Sequence, residues 1–226
     1  MSRSRTTNVD YLYHIIFTVS HLSKDVNDRV EKVRVCGTYT NLGAAKAAAH
    51  RTLFEAGYEK EWFTEYDTKR ADFITHGIKR RTGLAVQATA PDGTIFRVSI
   101  ATTANVQGFR DDEDHKIHKP LYHVVQTNVN YGEDDSGEAR DINVEGSFLV
   151  YEQAREFAAK VLLDPEAGVT KESFAEYDEA GPNEVDCGYG EDTVVHAVGQ
   201  NGENFLVGIL RGQDLAEEAT RIRHHN

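Results

Sequence analysis

The chain is poor in several things at once. Its 226 residues hold two cysteines, one methionine, one tryptophan and four prolines. Cys36 and Cys187 each stand far from any second cysteine. No local CxxC redox pair or cysteine-based zinc site can form, and no secreted disulfide framework is written here. Positive charge is scarce too: 25 Lys and Arg face 37 Asp and Glu, for a net charge of −12 at pH 7. A surface of that sign repels phosphate backbones at long range, so nucleic acid is not an expected partner. The one basic run, "HGIKRRTG" at 76–83, reads as a solvated turn. No apolar run approaches the roughly 20 residues that a membrane helix needs, and the start "MSRSRTTNVDYLYH" lacks the continuous apolar core of a secretory signal. The expectation is a cytoplasmic protein with reduced thiols and no membrane partner.

Catalytic signatures are also missing. No GxxxxGK[ST] phosphate loop, GxGxxG, GxSxG or HExxH occurs, and "CGYGED" at 187–192 carries only a lone glycine pair. Neither a cofactor nor a metal is implied.

What is present is a repeated text. "FTEYD" at 63–67 returns as "FAEYD" at 174–178. With a shift of 109, Leu12-Tyr13-His14 falls on Leu121-Tyr122-His123, Gly37 on Gly146, and Ala45, Ala49 and Leu53 on Ala154, Ala158 and Leu162. The shift becomes 111 around the phrase and relaxes to 109 for Val86, Ala88, Phe96 and Val98 against Val195, Ala197, Phe205 and Val207. One compensated slip in so dense a set of matches reads as an internal duplication of a unit of about 90–100 residues.

Each copy opens with aromatic and β-branched residues, "YLYHIIFTVSH" (11–21) or "LYHVVQTNVNY" (121–131), which suit a strand. After a polar stretch comes a second strand, "EKVRVCGTYT" (31–40) or "DINVEGSFLV" (141–150). An amphipathic helix is next, over 41–57 with Asn41 as N-cap, and over 151–164 in the other copy. Gly57 and Gly168 suit the exit from those helices. The repeated phrase reads as a short helical turn with Thr170 as cap. There Phe174 and Tyr177 share a face, while Glu65 and Asp67, like Glu176 and Asp178, point to different sides. A hairpin around Asp92-Gly93 or Asn201-Gly202 closes the copy.

The unit is therefore expected to be β-β-α-β-β: an α+β fold with a helix on a four-stranded, mainly antiparallel sheet. A β-grasp, with first and last strands parallel at the centre, and a simple meander both fit the pattern. The domains are 9–103, a linker 104–120, 121–211 and a tail 212–226. Two like units are expected to pair about a pseudo-twofold axis, as monomer or homodimer, and to leave a groove for a ligand or partner.

The residues read as candidates for binding in that groove are His14, His123, Tyr66, Tyr177 and Trp62. His14 and His123 hold equivalent strand positions, which suit a paired acid/base site or hydrogen-bonded core rings. Trp62 is unmatched, since Ser173 stands in its place in the other copy. His115 and His118 in "DDEDHKIH" have the composition of a metal cluster but sit in a segment expected to be solvated. The reading favours a non-catalytic binding or interaction module, with a protein as partner. The alternative is a small-molecule enzyme or carrier using the groove.

The phrases "LYHV", "VEGSF", "KVLLD", "TKESFAEYDE" and "QNGENFLV" together resemble a group of uncharacterised tandem-repeat proteins of filamentous fungi, over most of the chain. The resemblance implies a eukaryotic, intracellular origin. It carries over no activity and no site residue.

Overall fold

In the computed structural model, residues 10–21, 32–68, 83–130 and 139–213 are described. The polar stretches at 22–30 and 132–138, the basic run up to residue 82 and the tail beyond Gln213 lie outside them. The described chain divides into two units: residues up to His118 together with Gln213, and Lys119–Gly212.

The first unit runs β1 (Tyr11–His21), β2 (Lys32–Tyr39), α1 (Leu42–Glu55), β3 (Glu65–Asp67), β4 (Leu84–Thr89) and β5 (Thr94–Ala104). The second repeats the series as β6 (Tyr122–Asn130), β7 (Ala139–Phe148), α2 (Tyr151–Ala158), β8 (Glu176–Glu179), β9 (Thr193–Val198) and β10 (Asn204–Arg211). The class is α+β, with two similar units. Each sheet has five strands and not the expected four, in the order β2-β1-β5-β4-β3 or β7-β6-β10-β9-β8. The first and last strands of each unit are adjacent at the centre and antiparallel. That corrects both the β-grasp, which needs them parallel, and the meander, which would keep them apart.

The fifth strand is the repeated phrase. A 3-10 turn covers Lys60–Trp62 or Lys171–Ser173. Glu65–Asp67 and Glu176–Glu179 then extend and pair with β4 and β9. The expected helical turn thus ends before the phrase begins. The edge of the neighbouring strand offers unpaired backbone groups, and three or four residues of pairing satisfy them. In an extended strand residues two apart share a face. Glu65 and Asp67 therefore lie together, as do Glu176 and Asp178, contrary to the helical expectation.

Local signals elsewhere act as written. The Asn41 side chain accepts from the Ala44 N–H at 3.0 Å, capping α1. Gly57, at φ +92°, comes just after the last helical turn. Helix α1 buries Ala45, Ala48, Ala49, Thr52 and Leu53 against Ile15, Phe17, Val86, Phe96 and Val98 in one core. Its small side chains let the helix lie close to the sheet. Helix α2 ends at Ala158, short of the expected 164. The chain beyond it tightens into i→i+3 bonds, Val161 N–H to Ala158 and Leu163 N–H to Lys160, ahead of Pro165, which disfavours helical backbone at Asp164. Gly168 accordingly closes a turn between Asp164 and Val169 and is not a helix exit.

Strand β2 is an edge, and the segment read as a solvated linker lies along it. Lys116 bridges Tyr39. Thr40 N–H donates to the His115 carbonyl and Ile117 N–H to the Thr38 carbonyl. Ile117 is buried. Gln213 N–H reaches the Val35 carbonyl farther along the same edge. Such cover removes donors and acceptors that would otherwise invite another strand.

Gly83, at φ +62°, leads into β4. A Cβ there would stand 2.5 Å from the Ile100 carbonyl oxygen, which is main chain and cannot swing away. Gly83→Ala is expected to destabilise the first unit by about 1–3 kcal/mol, read as a lower urea midpoint in Trp62 fluorescence. An unchanged midpoint would show that the turn into β4 carries no such constraint.

Among the described residues no helix is long and apolar enough to cross a membrane.

Candidate functional site

His14 and His123 occupy the same register in their units. Each is fully buried. His14 Nδ1 lies 3.0 Å from Thr38 Oγ1 and Nε2 lies 2.8 Å from Thr103 Oγ1. His123 Nδ1 lies 2.9 Å from Ser147 Oγ. Both thus rest on the hydroxyl of the neighbouring edge strand. Burial pushes the His123 imidazole down to about 4 from its ordinary 6.5, so the ring is neutral at pH 7.

Tyr66 and Tyr177 stand in the middle of β3 and β8 with the ring on the helix side. Lys60 lies over the Tyr66 ring at 5.6 Å and Lys171 over Tyr177 at 5.3 Å. The Tyr177 hydroxyl donates to the Ala159 carbonyl at 3.4 Å, and burial together with the Glu179 charge raises it to about 12. The Tyr66 hydroxyl is buried with no hydrogen-bond partner among the described residues, and burial raises its pKa as well.

Trp62 extends this cluster to the surface. It is 46% exposed, with its ring 5.2 Å from Tyr58 and 5.0 Å from Phe63. Phe63 continues to Tyr66 at 5.7 Å and Tyr66 to Phe54 at 6.0 Å. Phe54 is also 46% exposed. The result is a continuous run of rings with two open ends. Exposed carboxylates of Glu59, Glu61 and Glu65 stand beside it in the chain. In the second unit Ser173 takes the place of Trp62 and its Oγ accepts from the Thr170 N–H at 3.0 Å, completing a capping box. One position thus caps a turn in one unit and presents an aromatic surface in the other.

A second constellation escaped the sequence reading. On the second unit's sheet a cleft of about 420 Å³ is lined by Val129, Glu176, Tyr189, His196, Val198, Asn204 and Leu206. The pairing register builds it. Glu176, Val198, Asn204 and Val129 form one cross-strand row, and Asp178, His196, Leu206 and Thr127 form the next. His196 is only 5% exposed. Its Nδ1 lies 3.5 Å from Asp178 Oδ2, a long contact, and its Nε2 lies 3.1 Å from Asn204 Oδ1. Tyr189 stacks on it with ring centroids 3.8 Å apart and planes 18° apart. The loop holding Tyr189 is fixed by Cys187 N–H to the Thr193 carbonyl and Thr193 N–H to the Gly190 carbonyl. A hydrogen bond to Asp178 pushes the Tyr189 hydroxyl up, reinforced by the charge on that carboxylate.

The signal for this cleft is faint in the sequence. At the equivalent register the first unit has Gln87 opposite Asp67, where the second has His196 opposite Asp178. Glu65 and Glu176 match, but Ser20, Ile95 and Arg97 correspond to Val129, Asn204 and Leu206.

In the acidic segment His115 Nδ1 contacts Asp111 at 2.8 Å and His118 Nε2 contacts Asp114 at 2.9 Å. These are separate i,i+4 pairs. Among the described residues no three His, Cys, Asp or Glu side chains are grouped to hold a metal ion. No family model, curated protein or solved structure matches the chain.

Proposed function

We propose that the protein is a non-catalytic, cytoplasmic binding module built by duplication of one α+β unit, and that its first unit captures a basic segment of a protein partner on the aromatic run ending at Trp62. The observation that carries this reading is the half-exposed Trp62 seated on Tyr58 and Phe63. A large rigid ring, held by packing yet open to solvent, is the kind of anchor on which interfaces concentrate their energy. The rim sets the partner's chemistry. Glu59, Glu61 and Glu65 are exposed and flank the rings in the chain, outnumbering Lys60, which lies over the inner Tyr66 ring, and the chain carries −12 overall. Carboxylates attract a cationic side chain, and an arginine guanidinium stacks favourably on an indole face.

The sole tryptophan supplies the test. Arginine-rich peptides of about a dozen residues are expected to shift and quench Trp62 emission in a saturable way that weakens with added salt. Matched acidic peptides leave it unchanged. Trp62→Ala, measured with a labelled peptide, is expected to weaken binding at least tenfold, equivalent to about 1.4 kcal/mol. Equal binding of basic and acidic peptides, or affinity that survives the substitution, would refute the reading.

A further inference from the structure

We infer that the cleft on the second unit's sheet is a binding site for a small organic cation: a protonated amine carried on an apolar body about the size of a benzyl group. The site is separate from the aromatic run of the first unit. Its volume of about 420 Å³ falls in the range of small-molecule sites. Its lining divides by chemistry. Val129, Val198 and Leu206 give an apolar floor, while Glu176 brings a carboxylate to one end and Tyr189 a ring to one wall. No lysine or arginine lines it.

The polar groups are unequally committed. Asp178 is not among the residues that line the cleft; it lies behind the wall, 3.5 Å from His196 Nδ1 and bonded to the Tyr189 hydroxyl, and so orients that wall. A neutral imidazole donates from one nitrogen only; the shorter contact of His196 is Nε2 to Asn204 Oδ1 at 3.1 Å, and that bond with the Tyr189 stack holds the ring in place. No hydrogen bond or ion pair among the described residues engages the Glu176 carboxylate. Tyr189 has one face on His196 and remains 49% exposed. An ammonium group placed between them meets a carboxylate acceptor and an aromatic ring together, and its apolar body covers the valine and leucine floor.

The first unit serves as an internal comparison. At the same register it has Arg97 for Leu206, Thr89 for Val198 and Ser20 for Val129. A cation there opposes a cationic ligand and two polar groups replace the floor. The specificity therefore belongs to the second unit alone.

The test uses the full chain and three probes of one shape: benzylammonium, benzyl alcohol and benzoate. Amide chemical shifts are recorded by NMR during titration. Benzylammonium is expected to saturate in the millimolar range and to move the amides of Glu176, His196, Val198 and Asn204. The alcohol and the carboxylate bind at least tenfold more weakly. Glu176→Gln is expected to weaken benzylammonium at least fivefold and bring it level with the alcohol. Leu206→Arg, which installs the first unit's residue, is expected to abolish binding. Trp62→Ala leaves the response intact, which separates this site from the peptide surface. Near-UV circular dichroism checks folding. Glu176 is an exposed edge residue, so its variant decides the matter if Leu206→Arg fails to fold. Absence of saturable binding, equal response to amine and alcohol, shifts confined to other residues, or indifference to Glu176→Gln would each overturn the inference.

Discussion

Lowering the pH from 7 to 4 is expected to remove about 3 kcal/mol of stability through His123 alone. In the folded chain burial holds this ring at about 4, against an ordinary value of 6.5. The unfolded chain takes up the proton as pH falls through 6.5, while the folded chain resists it until about 4. Between those values the unfolded state binds more protons, so stability rises with pH. The contribution is complete above 6.5, declines across the interval and is gone near 4. His123→Asn retains a polar group near Ser147 Oγ but does not titrate. Urea midpoints measured from pH 7 to 4 are expected to fall less steeply in that variant, by about the same 3 kcal/mol over the interval. Carboxylates and the other histidines contribute to both proteins and drop out of the difference. Parallel pH profiles would mean that His123 accepts its proton without unfolding, for example by turning its ring to water.

Phe96→Ala is expected to be the most damaging substitution in the first unit, at about 3–5 kcal/mol. Phe96 is buried and is the hub of the aromatic cluster. Its centroid lies 5.0 Å from Tyr58, 5.5 Å from Phe63, 6.0 Å from Trp62 and 6.2 Å from Phe17. Removing it leaves a cavity that four rigid rings cannot close by small adjustments. Its counterpart Phe205 is only partly buried and meets Phe174 at 6.0 Å. Phe205→Ala is expected to cost about 2 kcal/mol, less than Phe96→Ala, because part of that ring is already in water. Denaturant midpoints of the two variants compare them directly. An equal or smaller loss at Phe96 would show that the cluster relaxes freely. If Phe96→Ala folds, it is also expected to weaken basic-peptide binding, since Trp62 loses support from beneath.

The repeated phrase shows where local sequence stops being informative. Thr170 with Ser173 does cap a turn, as an N-cap residue ahead of a short turn should. The strand just beyond it, Glu176–Glu179, extends because β9 stands beside it with backbone groups to satisfy. Nothing within ten residues of the phrase encodes that neighbour. The change from turn to strand then reverses the facing of Glu176 and Asp178, from opposite sides to one side. The cleft depends on that reversal. His14, His123, Tyr66, Tyr177 and Trp62 stand out in the sequence for bulk, symmetry or uniqueness, and none of them lines the cleft. His123 shares the cleft's sheet face, alternating with Thr127 and Val129 along β6, but its ring is buried against Ser147. His196 carries no such mark, because a single histidine in "TVVHAV" looks like any buried strand residue.

The amino-acid sequence by itself determined the pieces: aromatic and β-branched strands, an alanine-rich helix begun by Asn41, tight turns at Asp92-Gly93 and Asn201-Gly202, and two like units in series. The strands, helix and turns are each decided within a few residues, by side-chain sterics, capping and the backbone freedom of glycine, and the likeness of the two units is read by matching residues about 110 positions apart. Tertiary structure alone decided that β1 lies antiparallel to β5 and β6 to β10, that a fifth strand joins each edge, and that Asp178, Tyr189, His196 and Asn204 meet. Strand neighbours are selected by pairing and burial between residues tens of positions apart. No local pattern carries that information.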